Sequence, residues 1–149
     1  MEYSIRNCEP KDLPQLVVLC QKHAEFEKAD FTPEGKAEAL EKAIFAENPK
    51  LCCVVVATKE KIIGYVSYTF DYSTWDAADF LYMDCLFLEE QARSFGIGEV
   101  LIEKLQQIGK EKNCINIQWQ TPQFNERAIK FYHRMGGKGK DKVRFTLNL

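Results

Sequence analysis

The sequence predicts an α/β fold in which a mixed sheet carries helices on its faces. Segments with apolar residues at helical spacing alternate along the chain with short apolar or alternating segments that are typical of strands. Strand-like segments cluster in the middle of the chain, and later ones are each preceded by a helix. The predicted order is β-α-α-β-β-β-α-β-α-β. The 149 residues are enough for a core, and we expect one domain spanning residues 1–149.

The first third of the chain predicts one strand and two helices. Residues 3–7 form a short β-rich segment. Glu9 and Pro10 then open a helix whose apolar residues lie on one side through Cys20, since proline suits the first helical turn. Thr32 followed by Pro33 is typical of an N-cap and first helical position, so a second helix is expected to begin there.

The middle of the chain predicts three consecutive strands. Residues 51–58 and 62–70 are rich in β-branched and aromatic residues and are separated by Lys59-Glu60-Lys61. That spacing indicates a β-hairpin. Residues 79–88 form another apolar segment and predict the strand that follows.

The last third predicts two helices and two strands. Apolar residues recur at helical spacing from the glycine-containing turn up to Asn113, and residues 114–120 then alternate between apolar and polar. A helix is expected over residues 125–135, ended by Gly136, and residues 142–147 are expected to close the sheet as a strand.

Composition excludes several classes of function. With 20 basic and 22 acidic side chains the net charge is −2, so no overall field favours a nucleic acid or an anionic membrane as partner. No apolar run is long enough to span a bilayer, and the first residues lack the basic and apolar regions of a signal peptide. We therefore expect a cytoplasmic protein.

The cysteines predict neither a metal site nor a disulfide framework. No CxxC spacing occurs, and His23 and His133 lie far from any cysteine pair. Most of the cysteines lie in apolar segments, which is typical of reduced thiols in a core. The six are Cys8, Cys20, Cys52, Cys53, Cys85 and Cys114.

Residues 93–98, Arg-Ser-Phe-Gly-Ile-Gly, lie between a predicted strand and an amphipathic helix. Gly96 and Gly98 can adopt positive φ and allow a ligand close to the main chain. The N–H groups of the following helix and the charge of Arg93 favour an anion such as a phosphate. The same pattern is also typical of an ordinary strand-to-helix turn, and a Rossmann site fits worse because its third glycine is absent.

The order of elements and the residues at their joints resemble the GNAT family of N-acetyltransferases. The pyrophosphate loop of that family reads Gln/Arg-x-x-Gly-x-Gly/Ala, and Arg93, Gly96 and Gly98 match it without a gap. The resemblance covers nearly the whole chain and implies a mostly antiparallel sheet. Within the family, the chain is most similar to the diamine and polyamine branch. The segments that carry this likeness are residues 64–75, 81–84, 93–98 and 125–132.

The resemblance implies acetyl-CoA as the acetyl donor, with no metal ion. Main-chain groups of Leu86 and Leu88 would contact the pantetheine arm, and a backbone N–H nearby would stabilise the oxyanion. Asn125 and Tyr132 would meet the cofactor from the last helix, although Asn125 is equally typical of a simple N-cap. The loop residues expected to bind CoA are Arg93, Ser94, Phe95, Gly96, Ile97 and Gly98, with Ser94 where polyamine relatives often have glycine.

Two residues are the candidates for proton transfer. An alkyl amine has a pKa of about 10.4 and arrives protonated, so it must lose a proton before it attacks a thioester. Asp84 is the candidate base, directly or through water, although it is equally suited to orienting the ammonium group. Tyr132 suits the proton donor to the CoA thiolate. It lies seven residues after Asn125, on nearly the same helix face.

The acceptor is predicted only by class. Glu25, Glu27 and Asp84 could line a cation pocket, and Tyr72 and Trp75 could add aromatic faces for a cation. Such residues are also typical of a solvated surface. We expect transfer to a primary amine of a diamine, polyamine or lysine-like amino acid. A protein or peptide acceptor, or a CoA sensor without catalysis, is the alternative. By analogy with the family we also expect a homodimer.

Overall fold

The computed structural model describes all 149 residues, and it confirms a mixed α/β fold around one open five-stranded sheet in the order β1-β2-β3-β4-β5. The first four strands pair antiparallel, and β5 pairs parallel with β4. The elements are β1 (Ser4–Asn7), α1 (Leu13–Phe26), α2 (Lys36–Ile44), β2 (Cys52–Ala57), β3 (Ile62–Ser73), β4 (Ala78–Leu88), α3 (Ile97–Glu111), β5 (Ile117–Gln118) and α4 (Glu126–Arg134). Single 3-10 turns precede α1 and α3, at Pro10–Asp12 and Glu90–Ala92.

Both faces of the sheet are covered, and this explains the unbroken apolar run of β2. Val54 packs towards α3, where Leu101 and Leu105 are fully buried. Val55, which points to the opposite face, packs with Leu16 and other residues of α1. Because successive side chains of a strand point to opposite faces, a strand covered on both sides is apolar at every position.

The link from β4 to the next helix is anchored by a buried carboxylate. The N–H of Glu89 donates to the carbonyl of Ile63, and the Glu89 side chain accepts hydrogen bonds from Lys22 of α1 and Lys61. Burial opposes ionisation of this carboxyl, but the two ammonium groups outweigh it and hold the pKa of Glu89 below its ordinary value. The start of the glycine-containing loop is therefore tied to α1 and to β3.

The predicted start of the second helix is wrong. The helix begins at Lys36, residues 34–35 form a turn, and Thr32 and Pro33 lie before that turn. The carbonyl of Pro33 accepts a hydrogen bond from the N–H of Lys36 at 3.1 Å. Gly35 then takes a left-handed conformation with φ of +78°, which is incompatible with a helix running through it.

The two late strands also differ from expectation. The strand expected over residues 114–120 is reduced to β5, although the N–H of Ile115 still donates to Asp79 O at 2.9 Å. Residues 142–147 form no strand, so the expected closing strand is wrong. Their alternation is present, but it meets no sheet edge in the chain itself, and Val143 and Phe145 are 78% and 89% exposed.

None of the helices combines the length and the apolar character needed to cross a bilayer.

Candidate active site

Asp84 occupies a β-bulge in β4. Ser67 of β3 lies opposite Cys85, and the next β3 residue, Tyr68, lies opposite Met83, so Asp84 is an extra residue without a partner. A bulge bends the strand and re-aims the side chain at that position. The carboxylate is exposed, and the thiol of Cys85 donates to it at 3.7 Å.

The bulge lies where β4 and β5 separate. The two strands pair only at Leu81 and Tyr82, so residues 83–88 have no partner strand on the β5 side. The side chains of Leu86 and Leu88 pack into the core beneath α3. These two residues can therefore offer a ligand their main chain but not their side chains. Free main-chain groups along such an edge are available to pair with an extended, amide-containing molecule.

The glycine-containing loop brings the N-terminus of α3 to one end of this open edge. Gly96 has φ of +75° and is the N-cap, as expected for a tight turn, and no side chain caps the helix. The first N–H groups of α3 therefore have no partner within the helix and can face an anion. Phe95 is exposed, whereas the side chain of Ile97 is buried in the core.

Gly98 has a different role from the one its freedom of φ suggested. It lies inside the first turn of α3, and its φ is not positive. A Cβ at this position would lie 3.2 Å from Cζ of Phe131 on α4. Gly98 therefore allows α4 to approach α3 closely.

Arg93 points along the end of β4 rather than freely into solvent. Its Nε donates to the carbonyl of Leu88 at 2.9 Å, and its guanidinium lies 5.1 Å from the ring centre of Phe26 and 5.7 Å from that of Phe87. Burial and the nearby charge of Arg127 lower the pKa of Arg93 from its ordinary value, which still leaves it charged. The remaining guanidinium N–H groups can contact an anion at the loop.

Arg127 is a second cation at the loop, and our sequence analysis did not assign it. Its Nη2 donates to Oγ of Ser94 at 3.0 Å, and Ser94 has φ of +68°. Residues other than glycine seldom adopt this conformation, and such strain is common at ligand sites. A signal was available, because a cation in the first turn of a helix opposes the helix dipole and is therefore unusual there without a partner.

α4 presents Asn125 and Tyr132 on nearly the same face. Asn125 is the N-cap, and its Oδ1 accepts from the N–H of Ala128 at 3.4 Å. The ring of Tyr132 lies against Trp119, with ring centres 5.1 Å apart. Burial, followed by the charges of Glu27 and Cys85, raises the pKa of Tyr132 to about 12. At neutral pH this phenol therefore carries its proton and can donate it.

The end of α1 completes the site from the other side of the sheet. Glu27 is the C-cap of α1, and its carboxylate lies 3.2 Å from Nε2 of His23. The charge of Glu27 acts on Tyr132, and that of Asp84 acts on His23. The fold thus brings Glu27 close enough to act on both Tyr132 and His23, and Asp84 close enough to act on His23. His23 was considered only as a metal ligand, although its spacing of four residues from Glu27 indicated a contact.

Two aromatic candidates lie elsewhere in the chain. Tyr72 and Trp75 are at the β3–β4 hairpin tip and are 65% and 97% exposed. Tyr72 is opposite Asp79, and five residues of extended strand separate Asp79 from Asp84, roughly 17 Å. Glu25 is also exposed and accepts a hydrogen bond from Gln21. No hydrogen bond or ion pair joins any of these three side chains to Asp84.

Comparisons with known proteins agree on one family. The sequence model of the acetyltransferase (GNAT) family matches residues 18–137. A thialysine N-epsilon-acetyltransferase of Mus musculus is 28% identical over 142 residues, which cover 90% of this chain and 83% of that protein. A D-amino-acid N-acetyltransferase of Saccharomyces cerevisiae is 27% identical, with coverage of 97% and 89%.

Solved structures agree on the fold. An integron cassette protein of V. cholerae has a TM-score of 0.78 at 25% identity, covering 99% of this chain and 94% of that one. An aminoglycoside N-acetyltransferase solved in complex with CoA has a TM-score of 0.81 at 18% identity, with coverage of 99% and 95%. At the latter identity the likeness concerns the fold alone.

Proposed function

The chain belongs to the acetyltransferase (GNAT) family and is an N-acetyltransferase, and we propose that it transfers the acetyl group of acetyl-CoA to a primary amine of a small cationic molecule. Diamines, polyamines and lysine-like amino acids are the proposed class. The name of the mouse relative states acetylation at an N-epsilon position, which supports an amine acceptor here.

The observation that carries the acceptor class is the pair of carboxylates at one opening. Asp84 lies on the bulge of β4, Glu27 lies at the end of α1, and both act on the same histidine. The protein as a whole is close to neutral, so this negative charge is local. A local negative charge attracts an alkyl ammonium group and repels an anionic acceptor.

The groups around the open edge of β4 fit acetyl-CoA. The uncapped N-terminus of α3, together with Arg93 and Arg127, suits the pyrophosphate. The unpaired edge of β4 beyond Tyr82 suits the amides of the pantetheine arm. When bound, acetyl-CoA supplies the acetyl group as a thioester.

In the proposed mechanism, three groups of this chain act at three places. Asp84 accepts a proton from the acceptor ammonium, directly or through water, which frees the nitrogen lone pair for attack. A main-chain N–H at the open edge near Leu86 or Leu88 stabilises the negative charge that develops on the thioester oxygen. Tyr132 donates its proton to the departing sulfur and regains one from the nitrogen, which loses its second proton as it becomes an amide. The products are the acetylated amine and the CoA thiol, and the proton taken by Asp84 passes to solvent.

A panel of acceptors tests the proposed substrate class. Turnover of acetyl-CoA is measured with diamines, polyamines, basic amino acids, neutral amino acids and short peptides at one concentration. The proposal predicts the highest kcat/KM for small cationic amines. A peptide or a neutral amino acid as the best acceptor would contradict it, and absence of turnover with every acceptor would favour a CoA sensor.

Two arginine variants test the anion site. Arg93→Ala and Arg127→Ala are both expected to weaken CoA binding measured by calorimetry, by about tenfold each, because each removes one charge-assisted contact to phosphate. Dephospho-CoA binding serves as a second probe of the pyrophosphate itself. Unchanged affinity in both variants would remove the anion assignment from the loop.

We also propose that the protein is a cytoplasmic homodimer. The six cysteines are unpaired, which supports a reducing compartment. Residues 143–149 expose four large apolar side chains at alternating positions, a pattern that suits a strand added to a second copy. They are Val143, Phe145, Leu147 and Leu149.

Light scattering after size exclusion tests the dimer. The wild-type chain is expected at twice its 17.2 kDa mass, and Phe145→Asp is expected to shift it towards the monomer. Arg144→Asp, a matched change on the polar side of the same segment, is the control. A wild-type monomer at micromolar concentration would refute the proposal.

A further inference from the structure

His23 lies within a hydrogen-bonded row of three side chains that none of the steps above uses. Its Nδ1 lies 3.1 Å from the hydroxyl of Tyr65, and its Nε2 lies 3.2 Å from Oε2 of Glu27. The imidazole stacks on Phe87, with ring centres 5.3 Å apart and planes at 26°. Its side chain is 13% exposed. The ring is thus held on three sides, directly behind the Glu27 carboxylate.

The chemistry of the two partners determines where the protons lie. Tyr65 is buried in the sheet, and burial raises its pKa far above the ordinary value, so the hydroxyl always carries its proton. The Glu27 carboxylate can only accept a hydrogen bond. The tautomer that satisfies both partners has Tyr65 donating to Nδ1 and the Nε2–H donating to Glu27. In this state His23 is uncharged.

Uncharged His23 adds no positive charge beside the two carboxylates. Burial is the main cause that lowers the pKa of His23, and Arg93 lowers it further, whereas Glu27 and Asp84 oppose this shift. The remaining titratable groups close to this ring are Tyr65 on β3 and, beside the Tyr65 hydroxyl, Cys20 and Cys85. At neutral pH the only charges that meet the ring are therefore the two carboxylates and Arg93.

We infer that His23 is a positioning residue for the acceptor amine, which fixes the Glu27 carboxylate in one orientation and, because it stays neutral, leaves that negative charge available to the substrate. The inference rests on the proposed function, since it assigns to His23 a role at the proposed amine site. One oxygen of Glu27 is occupied by His23, and the other remains free for an ammonium group of the acceptor.

Protonation of His23 would reverse its effect. An imidazolium beside Glu27 forms an ion pair with it and cancels the charge that attracts the substrate. The KM for a cationic acceptor should therefore rise as the pH falls through the range in which His23 gains its proton. The chain has two histidines, and the other, His133, is exposed on α4 with its Nδ1 near the carbonyl of Gly137.

Two variants of His23 separate its possible roles. His23→Leu removes both hydrogen bonds but keeps an apolar contact with Phe87. It is expected to raise the KM for a diamine about tenfold, the effect of losing a hydrogen bond to a charged group, with kcat and the KM for acetyl-CoA changed less than twofold. His23→Gln retains a donor that can reach Glu27, and it is expected to restore the KM at pH 7.5 to within about threefold of the wild type.

The pH profile supplies a readout that packing alone does not affect. As the pH falls from 7.5 to below the ordinary histidine value of about 6.5, the wild-type KM for the diamine is expected to rise more steeply than that of His23→Gln, because glutamine gains no proton. His133→Gln is the matched control and should follow the wild-type profile. Melting temperatures of all variants show whether a change in KM reflects a loss of folding.

The inference and the proposed function fail in different ways. If the wild type acetylates diamines but His23→Leu keeps its KM, or His23→Gln shows the wild-type pH profile, the role of His23 is refuted and the amine acceptor stands. His23→Leu also refutes it if kcat falls, and the KM for acetyl-CoA rises, by as much as the KM for the diamine rises. Such a result would indicate a structural role. If no cationic amine is an acceptor of the wild type, the proposed function fails first.

Discussion

The chain up to Glu111 and the chain beyond it are built differently. All 28 buried residues lie in the first part, and none occurs after Gly109. The first part contains four antiparallel strands and two packed faces, whereas the second contains a strand of two residues and an amphipathic helix with no buried residue. Yet the proposed site takes Asp84 from the first part and Tyr132 from the second.

This difference indicates which part of the proposed site opens more easily. The proposed base lies on a rigid strand, which fixes its position. The proposed acid lies on α4, whose contacts with the rest of the protein include Phe131 against Gly98 and Tyr132 against Trp119. Regions with few buried contacts open most easily, and ligand-binding segments are commonly of this kind. A molecule lying between β4 and α4 would therefore stabilise the second part more than the first.

Stability should depend mainly on the first part. Leu101→Ala, at a fully buried position of α3, is expected to lower the free energy of unfolding by about 2–5 kcal/mol. Met135→Ala, at the half-buried end of α4, is expected to lower it by less than about 1 kcal/mol. Urea unfolding followed by fluorescence measures both. Similar losses in the two variants would show that the regions are one unit.

Catalysis should depend on the second part. Tyr132→Phe removes the proposed proton donor and is expected to lower kcat by about 100-fold, with little change in CoA affinity or in stability. Steady-state kinetics and calorimetry measure these quantities. Tyr82→Phe, which removes a hydroxyl that accepts from Gln120 at 3.1 Å, is the control and should stay near the wild type. An unchanged kcat in Tyr132→Phe would leave Tyr132 without a chemical role.

A substitution at Glu89, between β4 and the loop, is expected to have a smaller effect on stability, and that effect depends on pH. Glu89→Gln is expected to lower the free energy of unfolding by about 1–2 kcal/mol at pH 7, because Lys22 and Lys61 lose a charged acceptor. The folded-state pKa of Glu89 is lowered, so its contribution is present above the unfolded pKa of about 4.3 and is lost as the pH falls through the folded value. Wild type and variant should converge as the pH falls below that folded value, and a constant difference would contradict this.

The success of the sequence predictions also differs between these two parts of the chain. The three central strands and α3 were predicted because their apolar periodicity matches burial in the core. Asn125 as an N-cap and Gly96 in a left-handed turn were predicted because local chemistry determines them. The closing strand over residues 142–147 was wrong, because alternation indicates a strand without indicating which edge it would join.

Contacts between distant segments escaped prediction for a related reason. His23 meets Tyr65 across 42 positions of sequence, and Arg127 meets Ser94 across 33. Neither residue belongs to a local motif that identifies its partner. The bulge at Asp84 was also unforeseen, because it is visible only in the register between β3 and β4.

Amide hydrogen exchange with and without CoA tests most directly whether CoA binds between the two parts. The account predicts that CoA slows exchange at the first N–H groups of α3, along residues 83–88 of β4, and in α4 from Asn125 to Tyr132, while β1 and β2 exchange as before. Protection confined to other segments, or no protection at the N-terminus of α3 and in α4 under saturating CoA, would contradict it.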